Sequence, residues 1–429
     1  MKIFFGFVLL LSILSANSWA VKLSDYRPFQ FEVLFTNPVC QKYNYSGVIT
    51  TNAGATVASK PPGVYCKPSD EAASVSRRHA PQYRLVEWIL DPNTKELYLA
   101  YLSFSSKNIA GALCSALKRG VKLTMVLDGG EGPEVHVNKD AEALKACAVS
   151  AGQMSLTYRG STGGLGYAHN KILLVNPNDP AVSRVVFSSG NMTSGTSINH
   201  ENWNFVTTSS QSFFAQVHRC AVLGMVHAGD KRANFTAYLN QCRSQIKNPP
   251  ETDVTVFFSP VDGKAALTAV SEATHHALAV EGMSHRFSGV IAELFAHHLA
   301  RGKKIRFLFD DDMYWSALLK KDIGRNQRFE AFKIYNELIT KGMETRFLQT
   351  NQNVFQLQHN KFLIFYFQNG AAVFNGAGNM TTAAFTKNFE NFYLITIPGV
   401  VEGYRRQYDL YYNHMATKAL DMPRDYVLP

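Results

Sequence analysis

His169-Asn-Lys-Ile-Leu-Leu-Val175 returns 190 residues later as His359-Asn-Lys-Phe-Leu-Ile-Phe365. In each stretch three polar residues lead directly into an apolar run. That is the pattern of a buried strand whose first residues reach out of the core. Residues i and i+2 of a strand project from the same face, so His-x-Lys aims an imidazole and an ammonium the same way. The middle Asn is turned aside.

Downstream, the parallel continues in order. Val185-Val-Phe-Ser-Ser-Gly-Asn-Met-Thr193 answers to Ala372-Val-Phe-Asn-Gly-Ala-Gly-Asn-Met-Thr381. Asn199-His-Glu-Asn202 answers to Asn388-Phe-Glu-Asn391. The His-to-Asn separations are 22 and 20 residues, and the Asn-to-Glu separations 10 and 11. A single His-x-Lys or Gly-Asn pair carries little weight, since the first occurs by chance and the second is usually a turn. Recurrence of the whole set, in order, carries the argument. A closing helix follows in both copies, over 213–225 and 401–412.

Upstream the same holds. Glu32 to Pro38 and Val254 to Pro260 read as strands that stop at a proline. Ile109 to Gly120 and Ile291 to Gly302 carry apolar residues at helical spacing, each with a glycine suited to end the helix. Each leads into a strand, over 121–128 and 303–310. A second helix and strand follow, over 141–158 and 329–348. This alternation is an α/β order. It predicts two similar α/β domains, 21–245 and 250–429, joined near Lys247-Asn-Pro-Pro-Glu251. The N-terminal copy carries an additional loop, Tyr43 to Ala80, expected at the surface.

The chain of 429 residues, 46% apolar and 18% charged, is long enough for large buried cores and too apolar for a disordered protein. Residues 1–20 read as a secretory signal: Lys2, an apolar run from Ile3 to Leu14, then Ser18 and Ala20 at the cleavage positions. The run is shorter than the ~20 residues of a membrane span, and no later stretch supplies one. A secreted or periplasmic protein without a transmembrane anchor is expected, and a monomer. Losing Lys2 lowers the formal net charge from +10 to +9. That excess suits phosphates of lipid headgroups or nucleic acid, including peripheral contact with a membrane surface, and equally suits an ordinary soluble surface.

Six cysteines fit an oxidising destination, and pairing sequential neighbours gives 40–66, 114–147 and 220–242. No spacing of Cys or His suggests zinc, and no cofactor is expected. Asp310-Asp-Asp312 reads as a solvated turn ending a strand, and His275-His276 and His297-His298 as helix-surface residues. Four Asn-x-Ser/Thr patterns begin at Asn44, Asn191, Asn234 and Asn379. A glycan at Asn191 or Asn379 would block the proposed site.

Two motif strands brought together by domain pairing would present two His and two Lys to one point. That set suits phosphodiester cleavage. One of His169 and His359 attacks phosphorus; the other protonates the leaving alcohol and then activates water. Lys171 and Lys361 neutralise the non-bridging oxygens. Asn191 and Asn379 add amide donors, and Gly190 and Gly378 permit close backbone approach. Glu201 and Glu390 each suit the fixing of a histidine tautomer, and sequence order alone allows either to serve either His.

These residues resemble the phospholipase D superfamily, whose signature is His-x-Lys-x4-Asp followed by Gly-Ser-x-Asn, usually twice per active site. The resemblance covers nearly all of the mature chain. It implies two similar phospholipase D-like α/β domains packed with pseudo-two-fold symmetry around one active site, a covalent phosphohistidine and no metal. By the same analogy His169 is the nucleophile and His359 the general acid. The chain departs from the pattern where Asn176 and Tyr366 replace the Asp and where Ser188-Ser-Gly-Asn191 and Gly376-Ala-Gly-Asn379 replace Gly-Ser-x-Asn. A phospholipid phosphodiester is the expected substrate. The alternatives are an endonuclease acting on DNA or RNA, and a non-catalytic phosphate-binding protein on the same fold.

Overall fold

The computed structural model describes residues 21–23, 29–38, 47–50, 56–59, 80–130, 137–160, 164–229, 231–311, 327–350 and 356–418. The expected signal segment and the Cys40–Cys66 pair lie outside the described residues.

The N-terminal half runs β1 (Val21–Leu23), β2 (Gln30–Thr36), a hairpin of β3 (Gly47–Thr50) and β4 (Thr56–Ser59), α1 (Pro81–Leu90), β5 (Glu96–Tyr101) and α2 (Lys107–Lys118). It continues with β6 (Lys122–Asp128), α3 (Lys139–Ala143), β7 (Met154–Arg159), β8 (Lys171–Val175), β9 (Ser183–Ser188), β10 (Glu201–Thr208), α4 (Phe213–His227) and α5 (Arg232–Ser244). The C-terminal half runs β11 (Val254–Ser259), α6 (Gly263–His276), β12 (Ala279–Ser284), α7 (Gly289–Ala300), β13 (Lys304–Asp310), α8 (Gln327–Thr340) and β14 (Glu344–Leu348). Then come β15 (Lys361–Tyr366), β16 (Ala371–Gly376), α9 (Thr382–Thr386), β17 (Glu390–Ile395), α10 (Pro398–Leu410) and β18 (Ala416–Lys418).

Two eight-stranded mixed sheets result, ordered β1-β2-β10-β9-β8-β5-β6-β7 and β11-β17-β16-β15-β12-β13-β14-β18. Apart from the edge strands β1 and β18, the two orders are the same. β5, β6 and β7 run parallel, as do β12, β13 and β14, while the other pairings are antiparallel. Each motif strand, β8 or β15, is therefore central, between a hairpin partner and a strand of the parallel set.

Alternation along the motif strands explains the layers. Ile172 and Leu174 face a core shared by both halves, whereas Leu173 and Val175 face the outer core of the first half. Phe362 and Ile364 enter the shared core, and Leu363 and Phe365 the outer core of the second half. The closing helices α4 and α10 lie within the shared layer, where Phe187 of one sheet stacks on Tyr393 of the other with ring centroids 3.6 Å apart. The sequence order of blocks is thus realised as two α/β layers with one buried seam.

Five expectations need correction. A helix and strand stand between the first two blocks of each half, α1–β5 and α6–β12, and supply the neighbours of the motif strands. Their sequences share no signature to align. The helix expected after residue 141 is shorter: α3 passes into a 3-10 turn, Leu144–Cys147, whose Cys147 is bonded to Cys114 of α2. The second closing helix starts earlier, at Pro398, where proline's fixed φ suits the first turn. Asp310 and Asp311 are fully buried, not solvated, because Thr350 and the backbone of Gln358 donate to them. His298 is buried too, since it shares the inward helical face of Ile291 and Phe295. The Cys220–Cys242 disulfide forms as expected and ties α4 to α5.

Candidate active site

The seam is stitched by backbone. His169 N–H donates to the Phe389 carbonyl and Phe389 N–H to the Tyr167 carbonyl, both at 2.9 Å. On the other side His359 N–H donates to the His200 carbonyl and His200 N–H to the Leu357 carbonyl, again at 2.9 Å. The segment before each motif histidine therefore pairs with the segment that opens β17 or β10 of the opposite half. Asn391 Oδ1 accepts from Lys171 N at 2.9 Å, and Asn202 Oδ1 from Lys361 N at 3.0 Å. Each motif strand thus starts on a side chain of the other half. The regular strand begins at the Lys, and the His just before it is held across the seam.

This crossing settles which Glu serves which His. His169 Nδ1–H donates to Glu390 Oε2 at 2.7 Å. His359 Nδ1–H lies between both oxygens of Glu201, at 2.8 and 2.9 Å. Both carboxylates are 1% exposed, so the pairs are shielded from water. With Nδ1 committed as donor, each neutral imidazole carries its lone pair on Nε2. Burial pushes both imidazoles below their usual pKa. For His169 the Glu390 charge opposes the shift while Lys171 and Lys361 add to it; for His359 the charges of Lys361, Lys171, His169 and Arg286 add to the shift. Burial raises Glu201 to about 7, against the pull of Lys361 and Lys171.

The two ammonium groups are fully buried. Lys171 Nζ donates to the His169 carbonyl at 2.9 Å and Lys361 Nζ to the His359 carbonyl at 2.8 Å. Desolvation lowers Lys171 to about 8 and Lys361 to about 7, partly offset by Glu390 and Glu201. Such groups are poorly hydrated and gain from a phosphate that supplies negative charge. Asn191 and Asn379 open the turns after β9 and β16, and the buried Oδ1 of each lacks a hydrogen-bond partner. Gly190 and Gly378 serve a different purpose from the one expected. A Cβ would lie 2.6 Å from Trp203 Cζ2 at Gly190 and 2.3 Å from Phe392 Cζ at Gly378. These glycines let the turn pack on a buried aromatic ring.

Two positioning residues escaped the sequence reading. Asp128 Oδ2 accepts from Ala168 N and Asp310 Oδ2 from Gln358 N, both at 2.6 Å. They end β6 and β13 and hold the residue that precedes each motif histidine. Asp128 and Asp310 recur at matched places, a signal present in the duplicated strand but hidden by the reading of Asp310 as solvated. The replaced motif positions lie at the far ends of the strands. Asn176, at φ 55°, accepts from Lys95 N and Glu96 N, and Tyr366 Oη donates to Glu281 Oε2 at 2.6 Å. Both tie the motif strand to its neighbour and reach no site group. Among the described residues no group of three or more His, Cys, Asp or Glu side chains is arranged to hold a metal ion, and no helix is long and apolar enough to cross a membrane.

A family model described as the cardiolipin synthase, PLD-like domain matches residues 89–220 and 271–411. No curated protein matches the sequence significantly. Among solved structures, phosphatidylserine synthase from Haemophilus influenzae is 10% identical, with a TM-score of 0.58 over 78% of this chain and 84% of that one. Polyphosphate kinase from Porphyromonas gingivalis is 13% identical, with a TM-score of 0.52 over 78% of this chain. The match spans 46% of the kinase, so this chain corresponds to under half of it. At these identities the likeness is one of fold.

Proposed function

This chain belongs to the phospholipase D superfamily, and from that premise we propose that it is an exported phosphodiesterase acting through a covalent phosphohistidine. The observation that carries the reading is the crossed pair of dyads, His169–Glu390 and His359–Glu201, joined across one seam with Lys171 and Lys361 beside them. One imidazole Nε2 attacks phosphorus while the P–O bond to the alcohol breaks. The departing oxygen takes a proton from the opposite imidazolium. That imidazole, now neutral, removes a proton from water as the water oxygen attacks phosphorus. The P–N bond then breaks and both groups return to their starting states. Lys171, Lys361 and the amides of Asn191 and Asn379 carry the charge that develops on the non-bridging oxygens.

A phospholipid phosphodiester is the substrate class we propose, with export supported by the Cys114–Cys147 and Cys220–Cys242 disulfides. A nucleic acid is the second reading, since the formal net charge, +10 for the full chain and +9 without Lys2, suits either kind of phosphodiester. The test is a parallel assay of purified protein on phosphatidylcholine vesicles, plasmid DNA and RNA in excess chelator. Headgroup release supports the lipid reading. Strand cleavage with salt-sensitive affinity supports the nuclease reading. Inactivity on all three and on bis(p-nitrophenyl) phosphate contradicts an enzyme of this class.

A further inference from the structure

Each motif strand starts on an asparagine amide of the opposite half, and that amide works in one orientation only. Asn391 Oδ1 accepts from Lys171 N at 2.9 Å and from Asn170 Nδ2 at 3.5 Å. Asn202 Oδ1 accepts from Lys361 N at 3.0 Å. Turned over, either side chain would set its NH2 group against the lysine N–H, donor against donor. The strand would then lose its anchor where the motif imidazole and ammonium are held.

For Asn391 the orientation is set from α4. His218 Nδ1 lies 2.6 Å from the Phe214 carbonyl, which can only accept, so Nδ1 carries the ring proton. Burial keeps the ring neutral, which leaves a lone pair on Nε2, and Tyr393 Oη donates to it at 2.7 Å. With its one proton used, the phenol oxygen can only accept, and it takes the Asn391 Nδ2–H at 3.2 Å. His218, Tyr393 and Asn391 are all fully buried, so bulk water has no access to this chain of bonds. The chain leaves Lys171 in the first half, crosses to Asn391 and Tyr393 in the second, and returns to the closing helix of the first.

The second motif strand has a chain of the same sense made of different residues. Asn202 Nδ2 donates to Tyr404 Oη at 3.3 Å, and that phenol donates to Asn204 Oδ1 at 3.1 Å. Asn204 Nδ2 also lies 2.9 Å from the same oxygen. Asn204 follows Glu201 by three residues, as Tyr393 follows Glu390, and Tyr404 lies on α10 as His218 lies on α4. The strand supplies the phenol in one chain and the helix supplies it in the other. In both, the phenol meets the NH2 group of the anchoring asparagine. The chemistry recurs where the residue types do not.

We infer that His218, Tyr393 and Tyr404 are positioning residues for the phosphoryl transfer, the closing helices fixing, through two phenols, the orientation of Asn391 and Asn202 and hence the placement of both motif His-x-Lys pairs. This inference rests on the function proposed above.

The test uses the whole protein and whichever phosphodiester it turns over in the parallel assay. Tyr393→Phe and Tyr404→Phe keep the ring and remove only the oxygen. Each should lower kcat roughly 10- to 100-fold with KM little changed, the signature of reacting groups displaced without loss of substrate binding. His218→Gln offers an amide oxygen where Nε2 stood and should keep most of kcat. His218→Leu should lose as much as Tyr393→Phe, and combining the two should cost nothing further, since both break one chain. Melting curves identify any His218 variant that fails to fold, and the two phenol variants then decide. Wild-type kcat in either phenol variant overturns the assignment of that tyrosine. Equal losses in His218→Gln and His218→Leu would mean that packing alone matters there, and overturn the assignment of His218. Inactivity of the unmodified protein on every substrate overturns the function itself, and the inference with it.

Discussion

The two halves of this molecule agree closely where a phosphate would sit and diverge in the shell around it. Each supplies His, Lys, Asn and, across the seam, a Glu, set at matching distances. The surrounding shell differs: Ser284-His-Arg-Phe287 in the second half stands where the first has Tyr101-Leu-Ser-Phe104. Ser189 stands opposite Ala377. On the closing helices, His218 of α4 reaches the hydroxyl of Tyr393, which also accepts from Asn391. On α10 a phenol, Tyr404, meets Asn202 instead. On the function proposed above, repetition builds a site that would hold one phosphate from both sides.

The largest effect expected tests the matched part. His169→Ala and His359→Ala should each reduce kcat on bis(p-nitrophenyl) phosphate by roughly 10³-fold or more, since general acid–base catalysis alone contributes about 10²–10⁴-fold. The double variant should be no worse than the poorer single one, because the two groups act as a unit. A single variant that keeps most of its activity would mean that the halves work separately.

The next effect sharpens the difference. Of Glu390→Gln and Glu201→Gln, the one beside the general acid should cost more in kcat/KM. That carboxylate holds the imidazolium, and a hydrogen bond to a charged group is worth about 1.5–3 kcal/mol, or roughly 10- to 100-fold. The other carboxylate orients a neutral ring, for which about 1 kcal/mol, a few-fold, is expected. Equal losses would remove the asymmetry from the carboxylates.

The smallest effect is on stability. Burial holds His218 at about 4 and His200 at about 3, so both stay neutral in the folded chain well below the unfolded value near 6.5. At these two positions the unfolded state then binds more protons, so the stability they contribute falls as pH drops from about 6.5 toward 4, while Glu201, raised to about 7, acts in the opposite sense. Melting temperature measured across that range should decline steadily. His218→Phe should soften the decline, and an unchanged slope would mean that the helix imidazole contributes nothing to it.

Much of this was legible in the sequence, for definite reasons. The His-Asn-Lys triplets, Asn191, Asn379, Glu201 and Glu390 recur at similar spacing, and their apolar flanks read directly as buried strands. The crossed pairing of Glu390 with His169 and Glu201 with His359 was not legible, because it depends on how two sheets meet. Asp310 read as solvated, since an acidic run at a strand end looks polar until Gln358 and Thr350 are brought to it.

The most direct test of a single site shared by both halves is the number of phosphoryl groups held per chain after alkaline quench, measured as substrate saturates. The account gives a limit of one. Two phosphoryl groups per chain, one on each motif histidine, would contradict it.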